Sequence, residues 1–543
     1  MSLFERILVA RGLKDKAKRE AFLSPDYSLL HDPFLLPDMG LAVERLVKAK
    51  KDQQKITIYG DYDVDGLTAT ALLLDALSKF GFKNVDVFVP NRFVDGYGMT
   101  IDAVEEIASR GTNLIITVDC GSLSEKEIIR SNELGVDVIV TDHHGAADVQ
   151  PPAVAVINPK RKDSEYPFAE LAGVGVAFKL VQAMQTKITG LAAGQEKWLL
   201  DLVALGTVCD IVPLIDENRI YVFWGLKVLA KAGRPGLRAL MIISDINPKN
   251  LKARSLGFGL GPRMNAAGRL DTARQSLDLL SCDDSGAAKG IACLLDDMNK
   301  SRQFEQKKIL KAAILQAEDF IDDSVLVVSS PDWSHGIVGI VASKLLEKYQ
   351  KPVFVLQEMG DDSKGSARSF GDFDIAAAVN CAKDLIISGG GHKLAAGVTL
   401  PTKNINSFRK KVNDFYKSQR LNDQKLLLKP QADADAGLSE VNENLIELIN
   451  SLEPFGNGNP QPILKTEDLT VVDVKKMGDN NQHIKIELKD NDGCKLKFLA
   501  FGAPEHFFVN MGDKVSVWYH VDINEWQGSR TVEGKLLHLE LKD

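Results

Sequence analysis

A buried-strand pattern that ends in three aspartates constrains this chain more than any other segment. The β-branched run Ile56–Tyr59 stops at a glycine, and Asp61, Asp63 and Asp65 follow before an apolar helical pattern over 67–80. Three carboxylates so close together repel one another, and a helix cap needs only one of them. The segment therefore predicts a cation site at the end of a strand, with an acidic surface loop as the alternative.

The composition predicts a multidomain protein of the cytoplasm. A chain of 543 residues has room for roughly three to four domains of about 150 residues each. It is 45% hydrophobic, and no apolar run approaches the roughly 20 residues that span a bilayer. The N-terminus lacks the apolar core of a signal peptide, and six cysteines without paired spacing predict reduced thiols. With a net charge of −8, a nucleic-acid surface has to be a local basic patch or a metal site.

Strand-like and helical patterns alternate over residues 55–160, which predicts a parallel α/β sheet. In open α/β sheets, ligands bind beyond the carboxyl ends of the strands. We expect strands at Ile56–Tyr59, 85–89, Leu114–Val118 and 136–140.

Three of these four expected strands end at acidic or histidine side chains. The first runs into Asp61, the third into Asp119, and the fourth into Asp142, His143 and His144. Because the strand ends share one rim of a parallel sheet, hard ligands from separate segments come together there. A helix cap is the alternative for Asp119, whereas adjacent histidines at a strand end are typical of metal ligands.

Two further segments of the first half carry candidate side chains. Asp210 lies in an otherwise apolar run, where a buried carboxylate needs a metal ion or a backbone N–H as its partner. Residues 257–269 are predicted to form a glycine-rich loop with Arg263 and Arg269, a composition suited to phosphate binding. A flexible connector with solvated arginines is the alternative for this loop.

The second half predicts a long helix, a second α/β unit and a small β-barrel. A charged helical pattern over 284–320 indicates a connector between domains. Strand patterns at 325–328 and 353–356 are followed by glycine-rich segments that suit close approach to phosphate. Alternating runs typical of an OB-type barrel occur at 469–474, 483–488, 496–501, 515–521 and 530–541.

Aromatic side chains of the predicted barrel have two possible roles. They either form a platform on which bases stack or belong to the barrel core. The residues concerned are Phe501, Trp518, Tyr519, His520 and Trp526.

The acidic and histidine set resembles that of the DHH phosphoesterase superfamily. Over nearly the whole chain, the sequence resembles the superfamily's bacterial single-strand-specific exonucleases, with matching motifs at 31–39, Gly261–Leu270, 389–392 and 453–456. The resemblance implies two α/β units, DHH and DHHA1-like, joined by a long helix and followed by a C-terminal OB-type β-barrel. The expected domains are a helical lead-in (1–50), a DHH catalytic domain (51–283), a connector helix (284–321), a DHHA1-like substrate-binding domain (322–430) and an OB-type nucleic-acid-binding domain (431–543).

The resemblance implies a two-metal exonuclease that hydrolyses single-stranded DNA from the 5′ end to mononucleotides, in DNA repair and recombination. Carboxylates with one or two imidazoles suit Mn²⁺, with Mg²⁺ as the second candidate. The implied metal ligands are Asp61, Asp63, Asp65, Asp119, His143 and Asp210, with Asp119 as the bridge. The implied catalytic residues are Asp63, Asp65, Asp119, His143, His144 and Asp210, with His144 either an outer ligand or the acid that protonates the leaving oxygen.

On the substrate side, the resemblance implies a strand threaded between the two α/β units and held upstream by the barrel. Arg92 and Arg269 are expected to grip the terminal phosphate, and a surface arginine after a proline turn is the alternative for Arg92. The implied partners are single-stranded DNA, a RecQ-type helicase and a single-strand-binding protein, and the chain is expected to be a monomer. The expected substrate-binding residues are Arg92, Arg269, Ser366, Arg368, Ser369, Gly390, Gly391 and His392.

Two other functions stand as alternatives. A small-substrate DHH phosphodiesterase, acting on short oligonucleotides or cyclic dinucleotides, needs neither the terminal barrel nor so long a connector. A non-catalytic DNA-binding scaffold would be expected to lack some acidic ligands, and here the set is complete.

Overall fold

The computed structural model describes residues 1–543 except for a few positions, and the described residues form two compact units. The first unit comprises Met1–Met264, Ala273–Ala292 and Pro430–Asp543, and the second comprises Asn265–Thr272 and Cys293–Lys429. The positions outside the description are Phe93, Asp95, Tyr97, Asp271, Arg420, 422–428, Asp479, Asn480, Glu505, His506, Gln527, Asp543 and the side chain of Trp526.

The first unit contains a parallel sheet of five strands in the order β2-β1-β3-β4-β5. Every residue of β1 and β3 is buried, as is typical of parallel strands covered on both faces. The predicted parallel sheet is confirmed, and β5 escaped prediction because so short a strand shows no periodicity. The strands are β1 Ile56–Tyr59, β2 Val85–Phe88, β3 Leu114–Val118, β4 Asp137–Thr141 and β5 Ala155–Ile157.

Most of the helices belong to the first unit. Helix α4 begins before the predicted residue 67, because the Asp63 carboxylate accepts hydrogen bonds from the N–H groups of Asp65 (2.9 Å) and Gly66 (3.1 Å). The helices up to the connector are α1 Leu3–Ala10, α2 Lys16–Leu23, α3 Met39–Lys51, α4 Val64–Lys79, α5 Ile101–Ser109, α6 Glu125–Glu133, α7 Gly173–Met184, α8 Leu200–Cys209, α9 Asp216–Leu229, α10 Pro235–Ile243, α11 Ala253–Ser255, α12 Gly261–Leu270, α13 Arg274–Leu280 and α14 Ser285–Glu318.

The segment predicted as a glycine-rich loop at 257–269 is helical, so that prediction is wrong. A π-helical turn covers Leu256–Leu260, and α12 follows directly. Leu256, Leu260 and Met264 are all buried, and their spacing places them on one helical face. Burial of this apolar face outweighs the low helix propensity of the intervening glycines.

The second unit holds a mixed sheet in the order β6-β7-β8-β10-β9, in which only β6 and β7 pair in parallel among the described strands. The triple-glycine segment forms the edge strand β9, and each of its residues is exposed. The elements are β6 Leu326–Ser330, α15 His335–Tyr349, β7 Val353–Met359, β8 Asp362–Arg368, α16 Ile375–Cys381, β9 Ser388–His392, β10 Ala395–Pro401 and α17 Ile405–Ser418.

The C-terminal region of the first unit contains a closed five-stranded barrel, as predicted. Strand β12 pairs with both β13 and β15, which closes the sheet β12-β13-β14-β16-β15. The elements are β11 Ala434–Asp435, α18 Glu443–Asn450, β12 Leu464–Met477, β13 His483–Lys489, β14 Lys495–Ala500, β15 Lys514–Trp526 and β16 Ser529–Leu541.

The barrel aromatics differ in how deeply they are buried. Trp518 and Tyr519 are buried (3% and 0% exposed), so they form core rather than a stacking platform. His520 is half-buried, and its Nδ1 donates a hydrogen bond to the Pro462 carbonyl (2.9 Å). Phe501 is 69% exposed, and the side chain of Trp526 lies outside the described residues.

The N-terminal helix α1 packs against the barrel. Leu3, Phe4, Ile7 and Leu8 are buried in one apolar cluster with barrel residues such as Phe498 and with residues of α18. Thus the beginning and the end of the chain share a hydrophobic core. None of the helices among the described residues has the length and apolar character needed to cross a membrane.

Candidate metal centre

The acidic and histidine side chains predicted from the strand ends do meet in the first unit. Asp61 follows β1, Asp63 and Asp65 open α4, Asp119 follows β3, and His143 and His144 follow β4. Asp210 joins them from the C-terminus of α8. Ligand atoms within 4.8 Å of one another form three groups: Asp61, Asp63 and Asp119; Asp65, His143 and Asp210; and Asp119, His143 and His144.

His143 lies at the middle of this arrangement. Its Nε2 atom is 3.0 Å from Asp119 Oδ1, 3.6 Å from Asp210 Oδ2 and 3.9 Å from Asp65 Oδ2. Among the described residues, neither Nε2 of His143 nor Oδ1 of Asp61 makes a hydrogen bond, although both side chains are buried. Buried polar atoms without partners are costly, so this donor set fits a bound cation.

Burial and neighbouring negative charges also raise the pKa values of the carboxyls in this cluster. Burial, followed by the Asp63 charge, raises the pKa of Asp61 to about 8 and that of Asp65 to about 7. Burial and then the charges of Asp65 and Asp63 raise the pKa of Asp210 to about 9. A divalent cation supplies the opposite charge that lets these groups ionise together.

His143 has the protonation state that a metal ligand needs. Burial, with the neighbouring His144, lowers the pKa of His143 to about 3, so its imidazole is neutral near pH 7. A neutral imidazole presents a lone pair to a metal ion.

Helix α7 holds Asp65 in place from its N-terminus. The Gly173 N–H donates to Asp65 Oδ2 (2.6 Å), and the Val174 N–H donates to Oδ1 (2.9 Å). A Cβ atom at Gly173 would lie 2.8 Å from Asp119 Oδ1, so the helix start and the acidic cluster are in close contact. Sequence reasoning missed Gly173, and its only signal was a glycine at the start of an apolar helical run.

Asp142 supports the site and joins none of the candidate metal groups found among the described residues. Its Oδ1 lies 2.9 Å from His144 Nδ1, and its Oδ2 accepts a hydrogen bond from the Ser122 N–H (3.0 Å). Although burial raises the pKa of Asp142, the hydrogen bonds and charge of His144 hold that pKa well below its ordinary value. Asn158 completes the support by donating to Ser122 Oγ (2.8 Å) and to the His144 carbonyl (2.9 Å).

His144 is more exposed than His143. Burial lowers its pKa, but the hydrogen bond and charge of Asp142 outweigh burial and raise it above the ordinary histidine value. With 42% of its side chain exposed, His144 differs from its buried neighbour in the direction of its pKa shift and in access to solvent.

Arg92 lies beside the acidic cluster. Its guanidinium is 5.0 Å from the ring centroid of Tyr62, and its positive charge offsets a part of the effect of burial and of Asp63, which raise the pKa of the nearby Asp61. Of the predicted substrate-binding residues, Arg92 is the one that belongs to the first unit.

The other predicted substrate-binding residues belong to the second unit. Arg269 donates from Nη1 to the Gly336 carbonyl (3.0 Å), and Arg368 donates from Nη1 to the Ala367 carbonyl (2.8 Å). Ser369 is buried, and its hydroxyl donates to the Phe373 carbonyl (2.8 Å), which is a bond within the fold. Ser366 lies on β8, and Gly390, Gly391 and His392 lie on the exposed edge strand β9.

Comparison with known families gives three matches along the chain. The DHH family N-terminal domain matches residues 55–207, and the DHHA1 domain matches residues 322–418. The RecJ OB domain matches residues 432–538.

Two bacterial proteins named single-stranded-DNA-specific exonuclease RecJ are similar over most of the chain. The Bacillus subtilis protein is 36% identical over 532 residues, which is 97% of this chain and 66% of that protein. The Salmonella typhimurium protein is 35% identical over 513 residues, which is 91% of this chain and 88% of that protein. The chain therefore spans just under two thirds of the first relative and most of the second.

Solved structures agree with this comparison. The crystal structure of Thermus thermophilus RecJ in complex with Mn²⁺ superimposes with a TM-score of 0.84 and 28% identity, covering 99% of this chain and 76% of that one. The same protein in complex with Mg²⁺ has a TM-score of 0.77 and 26% identity, with 99% and 74% covered. Both ions suit the carboxylate and imidazole donors assembled in this chain.

Proposed function

The chain belongs to the RecJ family of DHH proteins, and we propose that it is a metal-dependent exonuclease that digests single-stranded DNA to mononucleotides in the 5′-to-3′ direction. The observation that carries the proposal is the convergence of carboxylates and imidazoles from separate strand ends into adjoining ligand groups. The OB domain in the same chain supports a polymeric nucleic-acid substrate.

Two of the ligand groups would each hold one divalent ion. Asp61, Asp63 and Asp119 would hold one ion, and Asp65, His143 and Asp210 would hold the other. The chemistry that bound divalent ions supply is activation of water and neutralisation of charge on the scissile phosphate. Asp119 would stand between the two ions, since it belongs to a group with Asp61 and also contacts His143.

We assign the role of general acid to His144. Its Nδ1 atom is occupied by the Asp142 carboxylate, so the proton available for the leaving oxygen is on Nε2. The raised pKa of His144, which Asp142 maintains against the effect of burial, favours the protonated form that a general acid needs.

We assign recognition of the terminal phosphate to Arg92. Contact with the Tyr62 ring orients its guanidinium beside the acidic cluster. A guanidinium offers a phosphate two parallel hydrogen bonds, and this fixed positive charge attracts the anionic end of the strand.

The barrel surface is suited to hold the strand away from the metal centre. Lys475 lies directly opposite Lys485 across β12 and β13. Because Lys485 also lies 3.6 Å from Glu533 Oε1, the exposed Lys475 is the lysine of this pair that offers its charge to an anionic backbone. Phe501 is exposed, and its ring centroid lies 5.3 Å from that of His483, which together offer a surface for base stacking. This surface counts against a substrate as small as a dinucleotide.

The test compares substrates and labels with Mn²⁺ present. Single-stranded DNA labelled at the 5′ end should release labelled mononucleotide at once, whereas 3′-labelled DNA should shorten stepwise before its label is released. Duplex DNA, RNA and pyrophosphate should be poor substrates. Early release of the 3′ label would contradict the direction, and preferred cleavage of dinucleotides would favour the small-substrate alternative.

The proposed setting is the cytoplasm, where the six cysteines, none of which is in a disulfide, would stay reduced. Roles alongside a RecQ-type helicase and a single-strand-binding protein, and a monomeric state, stay predictions.

A further inference from the structure

The backbone that follows Asp210 has an unusual conformation. Ile211 has a φ of 62°, in the left-handed region that β-branched residues rarely adopt, and it is 69% exposed. Its own side chain therefore has little packing to hold it there. Contacts from elsewhere must maintain the conformation of the residue next to Asp210.

Those contacts come from the loop that precedes β12. Asn457 Nδ2 donates a hydrogen bond to the Ile211 carbonyl (2.7 Å), and the Leu214 N–H donates to the Asn457 carbonyl (2.7 Å). The first bond holds the beginning of the segment between Asp210 and α9, and the second holds its end. The first of them joins residues 246 positions apart in the sequence.

The loop is shaped to make this close approach. A Cβ atom at Gly456 would lie 2.6 Å from Leu214 Cδ1, and one at Gly458 would lie 2.8 Å from Pro213 Cβ. Gly458 also has a φ of 70°, so a side chain there is disfavoured for a second reason.

The loop is anchored next to this contact. The buried Asn459 donates from Nδ2 to the carbonyls of Leu452 and Pro454 (both 2.9 Å). Arg219 of α9 donates to the carbonyls of Leu452 and Glu453 (both 2.9 Å). The loop is thus fixed on the same helix, α9, that follows the Asp210 segment.

We propose that Asn457 is a positioning residue for the metal centre. It holds Ile211 in the left-handed conformation and thereby fixes the direction of the Asp210 carboxylate, so that the C-terminal region contributes to metal binding through Asp210. This inference rests on the proposed function only in assigning Asp210 to a divalent ion.

The test measures Mn²⁺ binding by titration calorimetry in the full-length protein. Loss of one hydrogen bond in Asn457→Ala should weaken Mn²⁺ binding about threefold to tenfold. Gly458→Ala, which pushes the loop from Pro213, should weaken it in the same direction. Asn491→Ala, at an exposed position in the turn between β13 and β14, is the matched control and should bind Mn²⁺ as the unaltered protein does.

Activity assays separate positioning from general destabilisation. At limiting Mn²⁺, Asn457→Ala should lose activity, and excess Mn²⁺ should restore most of it with the KM for single-stranded DNA unchanged. Adding Ile211→Gly to Asn457→Ala should recover part of the Mn²⁺ affinity, because glycine adopts positive φ without a Cβ clash.

Unchanged Mn²⁺ affinity in Asn457→Ala would overturn the proposal, as would a weakened affinity that Ile211→Gly does not improve. If the unaltered protein binds Mn²⁺ but digests no single-stranded DNA, the proposed function fails. The comparison of Mn²⁺ affinities still decides the role of Asn457 in that case.

Discussion

Single residues at the metal centre are arranged at the expense of stability in the metal-free chain. Asp61, Asp65 and Asp119 are buried, and burial together with the charges of neighbouring aspartates such as Asp63 raises the pKa of each. Such an arrangement is unfavourable for folding alone and favourable for binding a cation. At these positions, the arrangement that favours cation binding therefore lowers the stability of the metal-free chain.

Asp119→Asn should change metal-dependent activity and metal-free stability in opposite directions. Loss of the carboxylate that contacts His143 at 3.0 Å should lower kcat more than about 100-fold and weaken Mn²⁺ binding. The same change removes one buried negative charge, so the metal-free protein should melt at a higher temperature than the unaltered chain. Near-normal kcat, or a lower melting temperature without metal, would contradict this reading of Asp119.

The carboxyls also predict how stability depends on pH. The ordinary aspartate pKa is 3.8, whereas burial raises that of Asp61 to about 8 and that of Asp210 to about 9. The folded metal-free chain therefore binds more protons than the unfolded chain between these values, and its stability falls as the pH rises. His143, with its lowered pKa, acts in the opposite sense only below its ordinary value of 6.5.

The melting temperature in the presence of a chelator should accordingly decline from about pH 6.5 to about pH 8.5. Mn²⁺ should remove most of this decline, because the cation replaces the protons. A flat profile without metal would show that the carboxyls titrate normally.

At the scale of elements, helix termini do much of the positioning. Asp63 caps α4, α7 grips Asp65 through two N–H groups, and Asp210 ends α8. A helix N-terminus favours a carboxylate electrostatically, which keeps Asp65 close to the other acidic groups. The sheet brings the residues to one rim, and the helices fix their directions.

Two glycines of α7 provide a matched test of this role. In Gly173→Ala the new Cβ would lie 2.8 Å from Asp119 Oδ1, so the helix start must move and Mn²⁺-dependent activity should fall at least about tenfold. In Gly175→Ala the nearest atom would be Leu171 Cδ2 at 3.5 Å, an ordinary contact, and activity should be retained. Equal activity in the two variants would show that the α7 terminus is not critical.

At the scale of the whole molecule, the two ends of the chain belong to the same unit as the metal centre. Helix α1 shares its core with the barrel, and Arg219 connects α9 to both ends of the chain. Its guanidinium donates to the Phe22, Leu452 and Glu453 carbonyls (each 2.9 Å) while only 2% of the residue is exposed. The C-terminal region is therefore part of the structure that supports the site as well as a candidate DNA surface.

Arg219→Ala should destabilise the protein by about 3 kcal/mol, because it removes the Arg219 donor from the Phe22 and Glu453 carbonyls and leaves the Leu452 carbonyl with Asn459 alone. The measurement is the midpoint of urea unfolding without metal, combined with protease cleavage around residue 450. Arg238→Ala, at an exposed position on α10, is the control and should leave both unchanged. Equal midpoints for the two variants would mean that the connection through Arg219 is unimportant.

Much of the fold was predictable because residue patterns that are local in the sequence indicate its strands and helices. The strands β1 and β3 were predicted with their observed limits, since a short run rich in β-branched residues and bounded by polar residues is typical of a buried strand. The helical segment Leu256–Leu260 was misread because glycine content suggests a loop, whereas the burial that stabilises it is tertiary. The barrel core residues Trp518 and Tyr519 were ambiguous for the same reason.

The sequence by itself determined which residue types lie at the strand ends, because strand direction and connection rules send successive parallel strands to one rim. Only the tertiary structure decided that Gly173 and Asn457 support that rim. Their partners, Asp65 and Ile211, are 108 and 246 residues away in the sequence, and no local pattern records a contact at such a separation. Periodicity reports on neighbours along the chain, whereas the shape of a metal site depends on neighbours in space.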